Sequence, residues 1–347
     1  MHDGTSADDL AAAPAWFRLN RMFMSAWIPQ AVHAAAELRI PDELAARSMT
    51  AADLADRVGA DPDRTRRLLR GLAVLGIVAE SADGTFTLSP VGEPLRTDAP
   101  DGVRSLALFM SGDVMWGAWR QLAACVRTGP QAWELDDAPA TDVRDEHAAE
   151  FDLLHQAMFE QSRQTAPAIA NAYDFSWCAT VVDVGGGHGT LLAAVLDANP
   201  STRGIVFDRP DARAGAEKLI VDRALQDRAE FVGGDFLAAV PAGSDAYVIK
   251  NVLHDWGDER CVAILRNCAA AMADDGRVLV AEPVAPERFG TSATDDVLTA
   301  IDLVLMNSGG RLRTEAEHSG LHTAAGLRLE RFLPASGGNS VMVLIPE

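Results

Sequence analysis

Four carboxylates and a histidine stand at the ends of apolar runs in the second half of this 347-residue chain: Asp183, Asp208, Asp235, His254 and Glu282. A carboxylate at a strand end accepts hydrogen bonds from a polar ligand, and an imidazole there can take a proton near neutral pH. Asp183 lies in TVVDVGGGHGT (180–190), where Val181, Val182 and Val184 lead into a turn of Gly185, Gly186, Gly187 and Gly189 and then into the helix-like LLAAVLDAN. This is the pattern of a buried parallel strand running through a glycine turn into a helix N-terminus. Glycines let the chain turn sharply and let a ligand approach main-chain N–H groups without a Cβ in the way. Asp183 can itself accept donors from such a ligand. About 20 residues further on, RGIVFDRP ends in Asp208, placed to grip the two hydroxyls of an adenosyl ribose. These features suit NAD and S-adenosylmethionine alike, and a bare glycine turn also serves as a simple strand-to-helix connection.

The segments that follow must position these groups. AEFVGGDF closes on Asp235 and Phe236, a carboxylate for the exocyclic amine of an adenine beside a ring for its face. DAYVIKNVLHDW is an apolar strand ending in Lys250, Asn251, His254, Asp255 and Trp256. Helix, strand, helix and helix patterns come next, with Glu282 in RVLVAEPVAP, and LRLERFLP with SVMVLIPE closes the chain as a hairpin. The expected fold is therefore α/β, a doubly wound, Rossmann-like, mostly parallel sheet. A ligand belongs at the C-terminal ends of its strands, where all five titratable groups fall.

The first half reads differently. Residues 15–47 are helical in pattern, and Trp16, Met22, Met24 and Trp27 make them more apolar than a solvated helix needs, which fits either a buried core or a dimer interface. From Thr50 to Leu95 the order is helix (capped by Thr50), turn, helix and β-hairpin, a winged helix. Arg64, Arg66, Arg67 and Arg70 stand where a recognition helix would be, so a DNA-binding regulator is a rival reading. Interspersed acids such as Asp61 and Asp63, and a formal net charge of -20, favour a solvated helical face and no nucleic-acid partner. Residues 101–174 are helical again, broken at Gly129-Pro130 and a polar stretch from Asp136 to Asp145. His155, Met158, Phe159 and Ser162 share one helical face, either core or pocket lining.

Composition narrows the classes. The chain is 48% hydrophobic, enough for real cores, and the expected divisions are 1–100, 101–174 and 175–347. Met1 to Leu10 is no signal peptide, and no apolar run approaches the ~20 residues of a membrane span. Four cysteines without metal-ligand spacing read as buried thiols of a cytoplasmic protein. His318 and His322 have the i, i+4 spacing of a metal pair but no clear third ligand, so a solvated pair and no metal are expected. His188, inside the glycine loop, is given no catalytic role.

The segments VDVGGGHG (182–189), FDRP (207–210), GGDF (233–236), KNVLHDWGDERC (250–261), AEPVAP (281–286) and GGRLRTEAE (309–317) together resemble the S-adenosylmethionine-dependent O-methyltransferases of plant caffeate type and bacterial polyketide type. The resemblance covers nearly the whole chain. It implies that the N-terminal winged-helix domain serves dimerisation, that residues 101–174 help line the substrate pocket, and that 175–347 bind the cofactor. Gly185, Gly186 and Gly187 with Ser162 would hold the methionine moiety, and Asp183 and Arg209 count among the cofactor-binding residues. Asp208 would hold the ribose, Asp235 and Phe236 the adenine, and Lys250 would contact the cofactor near the acceptor. His254 matches the general base, with Asp255 beside it and Glu282 at the acidic flank. His155, Met158, Phe159, Met306 and Asn307 would line the acceptor pocket. Where the plant-type enzymes carry an acid that orients the histidine, this chain has Leu312.

The implied activity is methylation of a phenolic hydroxyl of an aromatic secondary metabolite, in natural-product (antibiotic) biosynthesis, by a homodimer that releases S-adenosylhomocysteine. The chemistry agrees. A sulfonium methyl is already activated, so the protein must chiefly align the acceptor, and a phenol with a pKa of about 10 benefits from a base. N-methylation or cofactor-assisted hydroxylation is the alternative within the family.

Overall fold

The computed structural model describes residues 13–129, 147–290, 292, 294–335 and 338–347. Met1 to Leu10 and the polar stretch from Asp136 to Asp145 lie outside them. The chain divides into two compact units, Met1–Trp116 with Ala149–Ala157, and Gly117–Ala148 with Met158–Glu347.

In the first unit the helical stretch is broken into α1 (Ala15–Met24), α2 (Trp27–Glu37) and α3 (Ile40–Ala46). The second break is at Arg39, held at φ 55° immediately before a helix that carries Pro41 in its first turn. β1 (Met49–Thr50), α4 (Ala51–Val58), α5 (Pro62–Val74), β2 (Val78–Glu80) and β3 (Thr85–Leu88) follow. The Thr50 hydroxyl accepts from the Asp53 N–H at 3.2 Å, and Asp61 caps α5 in the same way at 2.9 Å, with Pro62 at its first position. The strands form one antiparallel sheet in the order β1-β3-β2, completing the expected helix, turn, helix and hairpin. Ile40, Leu54, Leu69, Leu72 and Phe86 are its core. The four arginines of α5 are exposed, as a solvated face requires. α1 buries none of its residues: Trp16, Met22, Phe23 and Met24 are each about two-thirds exposed. Of the two readings of residues 15–47, a core holds for α2 and α3, where Ala35, Ala36, Ile40 and Leu44 are buried, and fails for α1.

The helices α6 (Arg104–Met110), α7 (Asp113–Arg120), α8 (Leu122–Thr128) and α9 (Ala148–Ala172) lead to the second unit. There the chain alternates β4 (Thr180–Val184), α10 (Thr190–Ala198), β5 (Arg203–Asp208), α11 (Arg213–Asp222), β6 (Ala229–Gly233), β7 (Ala246–Lys250), α12 (Asp258–Ala271) and β8 (Arg277–Pro283). It ends in α13 (Asp295–Ser308), α14 (Glu315–Ala324), β9 (Leu327–Pro334) and β10 (Asn339–Pro346). The seven strands are ordered β6-β5-β4-β7-β8-β10-β9, and only β10 and β9 run antiparallel to their neighbours. β4 is buried on both faces: Val181 packs with Val248 and Leu279 on one, Val182 and Val184 with Tyr247 and Ile249 on the other. Continuous apolar runs, rather than alternating ones, follow from that double burial. The chain winds outward through β5 and β6, then returns to place β7 against β4. The strand order therefore reverses at β4 and β7, where open α/β sheets leave a crevice.

His318 and His322 overturn an expectation. Helix α14 packs against α12 and β9. That packing leaves each imidazole 2% exposed, so the pair is buried rather than solvated. Their rings lie 5.9 Å apart, and burial pushes both pKa values down to about 4. A folded-state pKa depressed below the unfolded value stabilises fully above about pH 6.5, and the gain is lost as pH falls toward 4. Each histidine should therefore cost about 2 kcal/mol of stability between pH 7 and pH 5. Urea unfolding at the two pH values measures it, and His322→Leu should roughly halve the difference.

Candidate active site

The glycine loop leaves β4 at the reversal. Gly185 has φ 69°, and its N–H donates to the Phe207 carbonyl at 2.8 Å. A Cβ here would stand 2.7 Å from Val252 Cγ2, so the position admits only glycine. The Gly187 N–H donates to Asp208 Oδ2 at 2.7 Å and the Arg209 N–H to Oδ1 at 2.6 Å, which ties the loop to the end of β5. The Asp208 carboxylate stays partly exposed, with lone pairs left for a ligand. Asp183 is placed differently. It is 2% exposed, and its Oδ2 accepts from the Leu192 N–H at 3.2 Å, in the first turn of α10. Burial, assisted by the Asp208 charge, pushes it up to about 7 against the pull of Leu192 and Lys250. The structure thus gives Asp183 a partner beneath the loop. Phe236 stands edge-on to Trp256, with ring centroids 5.8 Å apart, and lies close to Gly185. Asp235 is exposed beside it, one oxygen accepting from the Leu237 N–H at 2.9 Å.

On the other side of the reversal, β7 runs into a short 3-10 turn, Leu253–Asp255. Asn251 enters it at φ 51°, a left-handed conformation that asparagine tolerates better than most residues. His254 Nδ1 lies 2.6 Å from Glu282 Oε2, and Nε2 lies 3.5 Å from Asp255 Oδ1. The Glu282 contact is one of charge, since its angle at the ring falls short of a hydrogen bond. Glu282 is wholly buried at the end of β8, where its Oε1 accepts from the Val252 and Leu253 N–H groups at 2.9 Å each. Burial works to lower the His254 pKa, but the Glu282 and Asp255 charges outweigh it and raise it to about 9. Burial also raises Asp255, to about 6, against the pull of His254. Glu282 is held low despite its burial, mainly by His254. Lys250 Nζ donates to Ser162 Oγ at 3.1 Å, and burial lowers its pKa against Asp183 and Glu282.

The acceptor-pocket candidates come together less fully. Phe159 packs on His188, with ring centroids 5.1 Å apart, and Met158 is 40% exposed. Met306 and Asn307 close α13. The Met306 carbonyl faces the Cys125 thiol at 3.4 Å. Asn307 is buried and donates back to the Leu303 carbonyl at 3.3 Å. His155 is exposed and belongs to the first unit, whereas the other four belong to the second.

Sequence reasoning passed over Arg313. It is 2% exposed, and its guanidinium donates to the Leu253 carbonyl at 3.0 Å, the Trp256 carbonyl at 2.7 Å and Asp258 Oδ1 at 2.7 and 3.0 Å. It thereby clamps the turn that carries His254. Gly310 and Arg311 reach the same turn. The Arg311 N–H donates to the His254 carbonyl at 2.8 Å, and a Cβ on Gly310 would meet that oxygen at 2.3 Å. GGRLRT carries no local signal for this, because nothing in its spacing shows that one arginine is buried. Leu312 itself packs with Ala285 and Leu305, so the carboxylate at Nδ1 comes from Glu282 instead.

A parallel sheet reversing at β4 and β7, with a glycine loop on one side of the reversal and a histidine turn on the other, is the architecture of a class I methyltransferase. The chain belongs to the O-methyltransferase family: the family's O-methyltransferase domain matches residues 119–328 and its dimerisation domain residues 20–98. It is 39% identical to mitomycin biosynthesis 6-O-methyltransferase of Streptomyces lavendulae, over 94% of this chain and 93% of that protein. It is also 36% identical, over 88% of each chain, to 8-amino-8-demethylriboflavin N,N-dimethyltransferase of Streptomyces davaonensis. Among solved structures it resembles an O-methyltransferase from neocarzinostatin biosynthesis in complex with S-adenosylmethionine and 2-hydroxy-5-methyl naphthoic acid. That match has a TM-score of 0.75 and 33% identity, and covers 92% of this chain and 96% of the other. The protein is an S-adenosylmethionine-dependent O-methyltransferase. Among the described residues no helix is long and apolar enough to cross a membrane.

Proposed function

We propose that this enzyme methylates a phenolic hydroxyl of an aromatic secondary metabolite, with His254 as the general base. The observation that carries this reading is the His254–Glu282 pair, 2.6 Å apart, at the strand end adjoining the glycine loop. With Nδ1 turned to Glu282, Nε2 is the nitrogen left for an acceptor's proton. S-adenosylmethionine supplies an electrophilic methyl group on sulfur. Gly185, Gly186 and Gly187, with Ser162, hold its methionine moiety, and Asp183 braces the loop from below. Asp208 and Arg209 stand at the ribose, Asp235 and Phe236 at the adenine, and Lys250 near the acceptor. Met158, Phe159, Met306 and Asn307 line the acceptor's side. The naphthoic acid bound by the neocarzinostatin relative supports an aromatic acceptor. An amine acceptor is the second reading, favoured by the riboflavin-type N,N-dimethyltransferase relative.

Labelled S-adenosylmethionine, offered with phenols, hydroxynaphthoates and aromatic amines, separates the two. Label and added mass on oxygen are expected; label on nitrogen alone would refute the phenol reading.

The exposed apolar face of α1 and the dimerisation-domain match support a homodimer. Phe23→Glu is expected to shift the enzyme toward monomer in sedimentation, because a charge would have to be buried at the contact. Four free, buried cysteines fit a reducing cytoplasm, and the strongly acidic chain has no use for a nucleic-acid partner.

A further inference from the structure

Between Gly185 and Gly189 a single residue carries a side chain, His188. Its backbone is held on both sides, since the Gly187 N–H donates to Asp208 Oδ2 at 2.7 Å and the Gly189 N–H to the Gly186 carbonyl at 2.8 Å. The half-buried imidazole therefore leaves the loop from a fixed point and meets two helices. Its ring packs on Phe159 of α9, with centroids 5.1 Å apart. It also lies against Gly215 of α11, where a Cβ would stand 2.3 Å from Cδ2 and 2.5 Å from Nε2. Gly215 sits inside a helix, where alanine would be the better former. The three atoms nearest the missing Cβ all belong to the His188 ring, so the helix leaves room for that ring.

Helix α9 has a second anchor one turn further on. Ser162 follows Phe159 by three residues and so shares its face, and its hydroxyl accepts from Lys250 Nζ at 3.1 Å. Phe159 thus touches the loop that leaves β4, and Ser162 the end of β7. Those are the two strands at which the sheet order reverses. This turn of α9 spans the crevice and is pinned on each side.

We infer that His188 is a positioning residue for S-adenosylmethionine: seated on Gly215, its ring sets where Phe159 rests on the glycine loop and so fixes the α9 turn across the cofactor's methionine end. This rests on the glycine loop as the seat of the methionine moiety and needs no particular acceptor. The contact with Phe159 is one of ring on ring, so it asks for a flat side chain at 188 rather than for a proton. Without that ring the β4 side of the span loses its contact, and the cofactor leaves faster.

The test reads S-adenosylhomocysteine affinity of the intact enzyme by calorimetry, at a temperature where every variant is folded. His188→Ala should weaken binding about fivefold, the size of one aromatic contact, and His188→Phe should recover most of the loss. Gly215→Ala should weaken it by a similar factor, by pushing the ring off its seat. In the His188→Ala background the same Gly215→Ala change should cost nothing, because no ring is left to displace. Amide exchange across Phe159–Ser162 in the cofactor-free enzyme should quicken in both single variants. A merely structural role would lower the melting temperature and leave affinity unchanged, which overturns the inference. Additive losses in the double variant overturn it as well, as does a loss in His188→Phe equal to that in His188→Ala. Amide exchange across Gly185–Gly189 of the wild type checks the loop by itself and should slow when S-adenosylhomocysteine is added. Unchanged exchange there removes the loop as the methionine seat, and the inference with it.

Discussion

Replacing His254 by alanine is expected to lower kcat for phenol methylation about 100-fold while leaving S-adenosylmethionine affinity within about twofold. The imidazole is the only group of the turn that combines partial exposure with carboxylates at both nitrogens, whereas the glycine loop, Asp208 and Phe236 lie on other elements. A loss of this size is what removing a positioned general base costs. Stopped-flow or single-turnover transfer measures the chemical step, and calorimetry the cofactor. Equal rates in mutant and wild type would mean that alignment of acceptor and methyl carries the reaction alone. A large loss of cofactor affinity would mean that His254 shapes the loop instead.

Arg313→Met should destabilise the second unit by about 3 kcal/mol and lower kcat more than it raises KM. Little of this comes from the Asp258 ion pair, whose carboxylate is 61% exposed and well screened. The larger part is the Leu253 and Trp256 carbonyls, which lose their guanidinium donors where water has poor access. Lysine at 313 keeps the charge but not the planar fork, so it should recover only part of the stability. Denaturant melts with kinetics at a temperature where all variants stay folded separate the two effects. Full stability in Arg313→Met would show that the turn holds its shape unaided. Full stability with reduced kcat would make Arg313 purely a positioning residue.

Much of this architecture was legible in the residues. The apolar run of β4, the glycines after it and Thr50 before α4 each encode their conformation within a few neighbours, and the observed elements follow them. Asp208, Asp235, Phe236, His254 and Glu282 were also placed at strand ends, because a parallel sheet puts its loops on one side. Three features were not legible. Asp183 lies under the loop with Leu192 as partner, because the same burial that makes β4 apolar extends to its last turn. His318 and His322 are buried because α14 rotates them against β9 and α12, a choice their i, i+4 spacing leaves open. Arg313 is buried because the His254 turn folds over it.

The sequence by itself determined the order of strands and helices, the glycine conformations and the family of chemistry, since these depend on period, on missing side chains and on a run of quoted motifs. Only the tertiary structure decided which carboxylate faces which nitrogen of His254. Glu282 is 28 residues from His254 along the chain but 2.6 Å away in space, and the Coulomb energy that sets the proton depends on distance and burial, neither of which a linear spacing records.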